Sequence, residues 1–247
     1  MDYDLVERIR KEHPLPLIGV IGATNPTTQY KKEVGVSVGW ILRDFIEISN
    51  GSIFTGGVNG VGIDVFAGIT KWCIETGLKK GSLPPSKFFV LVPQFDESEL
   101  EYFATSPHVL PKYVPPTTYN VLGVINSEGN LNVVYAGNSM QERREYVGIV
   151  PDYVVAINGG FGTLDEAFCS LKANKPVIVM PETGGAARTL IDIKNQLLPD
   201  KYKLEFIKHK INFDTIDTKL IMPVRNSTEF RQLLEQLGNL KQKSPNS

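Results

Sequence analysis

Short runs rich in apolar and β-branched residues, several closed by glycine and followed by an amphipathic helical stretch, recur along this chain of 247 residues. That alternation constrains the fold more than any other feature. Leu15 to Ala23, "LPLIGVIGA", is a buried-strand signature, and a helix is expected from about Tyr30 to Ser49, ended by Asn50-Gly51. "SIFTGG" reads as a second strand, followed by a helix from Gly62 to Thr76 with Gly77 as its stop. "KFFVLVP" reads as a third strand, and "YVVAI" and "KPVIVM" follow the same pattern later. Helices are expected over Ser139–Val150, from the glycine turn after "YVVAI" to Ala173, over Ala186–Leu197 and over Ser227–Leu237, the last capped by Asn226 and Glu229. Strands alternating with helices predict a Rossmann-like, doubly wound α/β fold, its mostly parallel sheet covered by helices on both faces.

Regularity lapses in one place. Residues 94–118, rich in Pro, Tyr and acids, read as a long loop, and the two β-rich runs around Ser-Glu-Gly-Asn in 119–137 read as a hairpin. With no repeat, low-complexity tract or linker, the expectation is one domain over 1–240, with an insertion at about 94–137 and a disordered tail at 241–247.

In such sheets ligands bind beyond the carboxyl ends of the strands, and three glycine-rich stretches fall there. "GATNPTT" holds Gly22 and Thr24, "TGGVNGVG" holds Gly56 and Gly57, and "NGGFGT" holds Gly159, Gly160, Gly162 and Thr163. Strand-to-helix turns carry glycine for steric reasons alone, so no single stretch decides anything. Three on one edge point to bare amides and positive helix ends converging on an anion. Neither G-x-G-x-x-G nor a Walker loop is present, so a mononucleotide or sugar phosphate fits better than NAD or ATP. Glu166 is expected in the first turn of the helix after "GGFGT", with Asp165 about 100° around it; acids at that position commonly complement the helix dipole. Arg143 and Arg144, taken alone, read as a solvated charged face.

Composition excludes several classes. A formal net charge of −1 gives no global attraction to nucleic acid or an anionic membrane, and 42% hydrophobic and 21% charged residues describe an ordinary soluble protein. No apolar run approaches the roughly 20 residues of a membrane span. The N-terminal "MDYDLVERIRKEH" lacks the apolar stretch of a secretory signal. Cys73 and Cys169 read as buried thiols, which implies a reducing cytoplasm. The scattered His13, His108 and His209 lack ligand spacing, so no metal site is expected.

"SMQERREYVGIVPDYVVAINGGFGTLDEAF" resembles the paired signature of the Lonely Guy family, sometimes described as lysine decarboxylase-like: Met-x-x-Arg-Lys, then Pro-Gly-Gly-x-Gly-Thr-x-x-Glu. Met140, Arg143, Asp152, Gly159, Gly160, Gly162, Thr163 and Glu166 match it, and the likeness extends over most of residues 15–180 outside about 94–137. The resemblance implies a phosphoribohydrolase, which cleaves a nucleoside 5′-monophosphate of AMP or cytokinin type into free base and ribose 5-phosphate. It further implies that the glycine loops, Met140 and Thr163 hold the substrate and its phosphate, that Glu166 acts at the ribose and Arg143 orients the substrate or helps the leaving base, and that the protein is a homodimer. No cofactor is implied. A pyridoxal-dependent decarboxylase is rejected because no lysine lies in a motif suited to a Schiff base.

The chain also departs from the signature. Asn158 replaces the proline, Gln141 a common histidine and Arg144 the lysine, while Asp64-Val65 stand where Met-Gly is usual. The compact "SLKANKPVIVM" link resembles the molybdenum-cofactor carrier proteins. Two other readings therefore stand beside the enzyme: a carrier of a phosphate-bearing cofactor, and a sensor that binds a nucleotide signal without turnover. Tyr102, Tyr113 and Tyr119, in or beside the insertion, are candidates to stack on a base or to pack at the surface.

Overall fold

The computed structural model describes residues 1–56, 60–75, 87–92, 132–197 and 215–242. The described strands are β1 (Leu17–Gly22), β2 (Ser52–Thr55), β3 (Phe88–Val92), β4 (Asn132–Tyr135), β5 (Tyr153–Ile157), β6 (Val177–Met180) and β7 (Ile221–Pro223). They form one sheet in the order β4-β3-β2-β1-β5-β6-β7, and every pairing is parallel. The expected doubly wound fold is therefore present. Strands buried on both faces read as continuous apolar runs without polar alternation, and "LIGVIG" and "YVVAI" are of that kind.

Alternate residues feed two cores. Ile18, Val20, Tyr153, Val155 and Ile157 face one side, where α2 (Lys32–Ser49), α3 (Val61–Glu75) and α7 (Ser227–Gln242) pack. Leu17, Ile21, Val154 and Ala156 face the other, against α1 (Tyr3–Glu12), α4 (Met140–Ile149), α5 (Phe161–Lys172) and α6 (Gly185–Lys194). A Cβ on Gly39 or Gly68 would overlap the carbonyl of Val65 or Val36, so these glycines let α2 and α3 lie unusually close.

The chain winds outward from β1 to β4, returns to β5 on the other side of β1, and winds outward again. The reversal opens a crevice between the carboxyl ends of β1 and β5, the usual binding place in such sheets.

Some elements differ from the sequence reading. The charged N-terminus is a helix, α1, capped by the Asp2 side chain and burying Val6 and Ile9. "IMP" forms the short edge strand β7, for which the sequence carried no clear signal. The second run of the expected hairpin is β4, which pairs in parallel with β3, so the end of the expected insertion belongs to the sheet. The first run, the loop of 94–118 and its tyrosines lie outside the described residues. Helix α7 continues to Gln242, two residues into the expected tail, and the Asn226–Glu229 cap is present: Asn226 accepts the Glu229 amide at 3.0 Å and Glu229 accepts the Arg225 amide at 2.8 Å.

Candidate functional site

A cleft of about 200 Å³ opens at the β1–β5 crevice. Gly22 reaches it from the end of β1, Thr24 from the loop that follows, Gly56 from just after β2, and Gly160, Gly162, Thr163 and Glu166 from the first two turns of α5 and its cap. Arg143 and Arg144 line it from α4. Eight of the eleven residues singled out as phosphate-binding or catalytic thus share one cavity. Gly57 and the side chain of Met140 lie outside the described residues. Gly159 does not line the cavity; it is buried in left-handed backbone at φ +97°, and a Cβ there would press on the Thr163 side chain.

The start of α5 suits an anion. Gly160 is its N-cap, with no side-chain hydrogen bond to the helix, and open space lies where its Cβ would be. The opening amides of a helix have no intrahelical partner, and the helix dipole makes that end positive. Buried Thr163 adds a hydroxyl at the same end.

Two sequence expectations about charged residues need correction. Because α5 begins at Phe161, Glu166 stands in its second turn, and the first turn holds no acid; dipole complementation fades beyond the first turn and does not account for it. Arg143 is not on a solvated face. Its side chain is 7% exposed, Nη1 donates to Glu166 Oε1 at 2.8 Å, and Nε donates to the Leu91 carbonyl at 2.8 Å. The helix that delivers it starts with a reciprocal cap: the Ser139 hydroxyl accepts the Glu142 amide, and Glu142 accepts the Asn138 amide. Gly56 makes room, since a Cβ there would overlap the Arg143 guanidinium. A signal for this burial was present in the sequence, as Arg143 sits three and four residues before Tyr146 and Val147 and extends their apolar stripe.

Glu166 is itself buried. Burial pushes its carboxyl above the usual glutamate range, against the pull of Arg143 and Arg144. Outside this pair lies a looser one: Arg144 approaches Asp165 at 3.6 Å, and Gln141 bridges them, donating to Asp165 at 3.1 Å and accepting from Arg144 at 3.2 Å. Cys169, half-buried nearby in α5, has its thiol pushed up to about 12 by burial, then by Asp165, so it is a poor nucleophile or metal ligand. Among the described residues no group of three or more His, Cys, Asp or Glu is placed to hold a metal. None of the described helices is long and apolar enough to cross a membrane.

The profile of the SLOG cluster4 family matches residues 124–212, the segment that carries α4, β5, the "NGGFGT" turn and α5. That match covers about a third of the chain, and it includes the Met140–Arg143 and "NGGFGT" stretches on which the resemblance seen in the sequence rests. TM1055, a structural genomics target of known structure, superposes with a TM-score of 0.54 at 20% identity, over 90% of this chain and 99% of that one. DNA processing protein A from Helicobacter pylori, described for its single-stranded DNA binding, gives 0.50 at 15% identity, over 95% and 84%. The molybdenum cofactor carrier protein from Chlamydomonas reinhardtii gives 0.46 at 16% identity, over 90% and 97%. At these identities the likeness is one of fold. No curated protein matches the chain.

Proposed function

We propose that this protein is a nucleoside 5′-monophosphate phosphoribohydrolase, hydrolysing the N-glycosidic bond to free base and ribose 5-phosphate. The observation that carries the reading is the buried Arg143–Glu166 pair, set on the wall of a cleft that also holds an uncapped helix start with bare glycines. The phosphate docks on the opening amides of α5, with Thr163 and the turns holding Gly22, Thr24 and Gly56. Binding energy from this unreacting group positions the ribose. As the C1′–N bond breaks, its electrons leave with the base, which takes up a proton from solvent to become the free base, and positive charge develops on C1′ and the ring oxygen. The Glu166 carboxylate stabilises that charge and takes a proton from the attacking water, whose oxygen bonds to C1′. Arg143 is occupied by Glu166 and the Leu91 carbonyl, which supports a role in orienting the carboxylate more than in protonating the base.

The test is release of ribose 5-phosphate from a panel of nucleoside monophosphates by wild type and Glu166→Gln. Turnover of one member that is lost in the variant supports the reading and names the base. Absence of turnover across the panel, with phosphate-dependent binding intact, replaces it with a carrier or sensor of a phosphate-bearing ligand. The homodimer belongs to the same proposal and is checked by sedimentation.

A further inference from the structure

Asn158 is the first residue of the glycine turn and one of the positions where this chain departs from the Lonely Guy signature. Its backbone is left-handed at φ +53°, which proline cannot adopt and asparagine tolerates better than most residues. It is fully buried, and its hydrogen-bonding groups reach two other loops. The side-chain Oδ1 accepts from the Thr27 amide at 3.2 Å, and Nδ2 donates to Thr27 Oγ1 at 2.7 Å and to the Thr183 carbonyl. The main-chain N–H donates to Thr183 Oγ1 at 2.7 Å, and the main-chain carbonyl accepts from Ala187 at 3.1 Å. A carbonyl only accepts, so the Thr183 contact fixes which way the amide faces. One side chain therefore joins the loops after β1, β5 and β6.

The loop after β1 is held at two points. At its front, the Ala23 carbonyl accepts the Val61 amide at 3.0 Å, and Gly60 packs where a Cβ would overlap the Ala23 carbonyl. At its rear, Thr27 is held by Asn158. Thr24, which lines the cleft, lies between the two.

We propose that Asn158 is a positioning residue for the phosphate end of the ligand: its side chain holds the loop of residues 23–31 against the glycine turn, so that Thr24 and the start of α5 form one seat. The proposal rests on the phosphate-binding reading given above. Releasing the latch lets Thr24 move away and weakens the grip on phosphate, while the Arg143–Glu166 pair stays in place.

The experiment measures ribose 5-phosphate affinity of the full chain by calorimetry and amide hydrogen exchange over residues 23–31. Wild type is compared with Asn158→Ala, with the near-isosteric Asn158→Asp, whose carboxylate would set an oxygen against the Thr183 carbonyl, and with Leu237→Ala, a core change in α7 remote from the cleft. The expected result is roughly tenfold or greater weakening in both Asn158 variants, from buried groups left unpaired, with faster exchange confined to the loop. Leu237→Ala lowers the melting temperature and leaves the affinity unchanged. Asn158→Asp regains affinity relative to wild type as the pH falls and its carboxyl gains a proton to donate. Wild-type binding that the Asn158 variants reproduce, or that Leu237→Ala weakens equally, overturns the proposal. No binding by wild type removes the phosphate reading and this proposal together, and that outcome is distinct because it appears before any variant is made. Should both Asn158 variants fail to fold, Thr27→Val decides instead: it removes one latch bond, and an affinity within error of wild type overturns the proposal.

Discussion

The sheet has an arginine–carboxylate pair at each end, and the two differ in what surrounds them. At the amino end Arg10 meets Asp152 at 3.0 Å, with side chains 28% and 13% exposed. Both partners are also tied to main chain, since Arg10 donates to the Val150 carbonyl at 2.6 Å and Asp152 accepts the Leu17 amide at 2.9 Å. That pair holds α1 against the entry to β1 and β5, and neither residue lines the cleft. At the carboxyl end Arg143 and Glu166 are 7% and 9% exposed and face the cleft. An ion pair near water with its remaining valences satisfied by backbone is a structural tie. Arg143 is also tied to main chain, at the Leu91 carbonyl, but its pair is the more desolvated and lies beside the cleft, which is what supports the proposed role of Glu166.

The same chemical change made at both ends is the sharpest way to break this comparison. Glu166→Gln is expected to lower ribose 5-phosphate release at least a hundredfold, while its amide oxygen still accepts from Arg143 and the melting temperature stays near wild type. Asp152→Asn is expected to do the reverse, keeping turnover and losing about 1–2 kcal/mol of stability, measured by denaturant titration. Equal effects of both variants on activity would erase the distinction.

Gly56→Ala comes next. The new methyl group displaces the Arg143 guanidinium, and kcat is expected to fall roughly tenfold to a hundredfold with a smaller change in melting temperature, read from steady-state kinetics and calorimetry. A third prediction concerns pH. With Glu166 raised by burial, the acid limb of kcat/KM lies above the ordinary glutamate range, and activity rises with pH as the carboxyl ionises. The folded protein holds this proton more tightly than the unfolded chain does. Its contribution to stability is therefore full below the unfolded glutamate value and is lost as pH rises through the folded value. Glu166→Gln removes that slope in unfolding titrations, and a slope unchanged in the variant would assign it elsewhere. The smallest effect is expected from Arg144→Lys, which restores the residue usual in the signature. Arg144 is 24% exposed and its contact with Asp165 is long, so stability should change by less than about 1 kcal/mol and affinity by a few-fold at most.

Much of the fold was legible because buried parallel strands and glycine turns leave a strong local pattern: "LIGVIG", "YVVAI" and "NGGFGT" each announce their place. Helix α1 was harder to see, because only Val6 and Ile9 mark its buried side among charges. Strand β7 has three residues, too few for any period. At the site, the Lonely Guy signature drew attention to Arg143 and Glu166, but the ion pair joins two helices separated in sequence, and no local rule reports such a contact. Asn158 was visible only as a missing proline. Its left-handed backbone and its bonds to Thr27 and Thr183 depend on loops that are remote in the chain.

The bond from the Thr27 amide to Asn158 spans 131 positions of sequence. A contact of that range forms only when the first and fifth strands already lie side by side, and long-range parallel pairing is a slow step in chain assembly. The cleft therefore cannot form before residue 166 has been made, nor in either half of the chain alone. Under the proposed function the ligand binds only the folded chain, and such a ligand at concentration L stabilises it by RT ln(1 + L/Kd), rising with the logarithm of L once that exceeds Kd. Under the same proposal, the stability of the protein in a cell rises with the supply of the compound it binds.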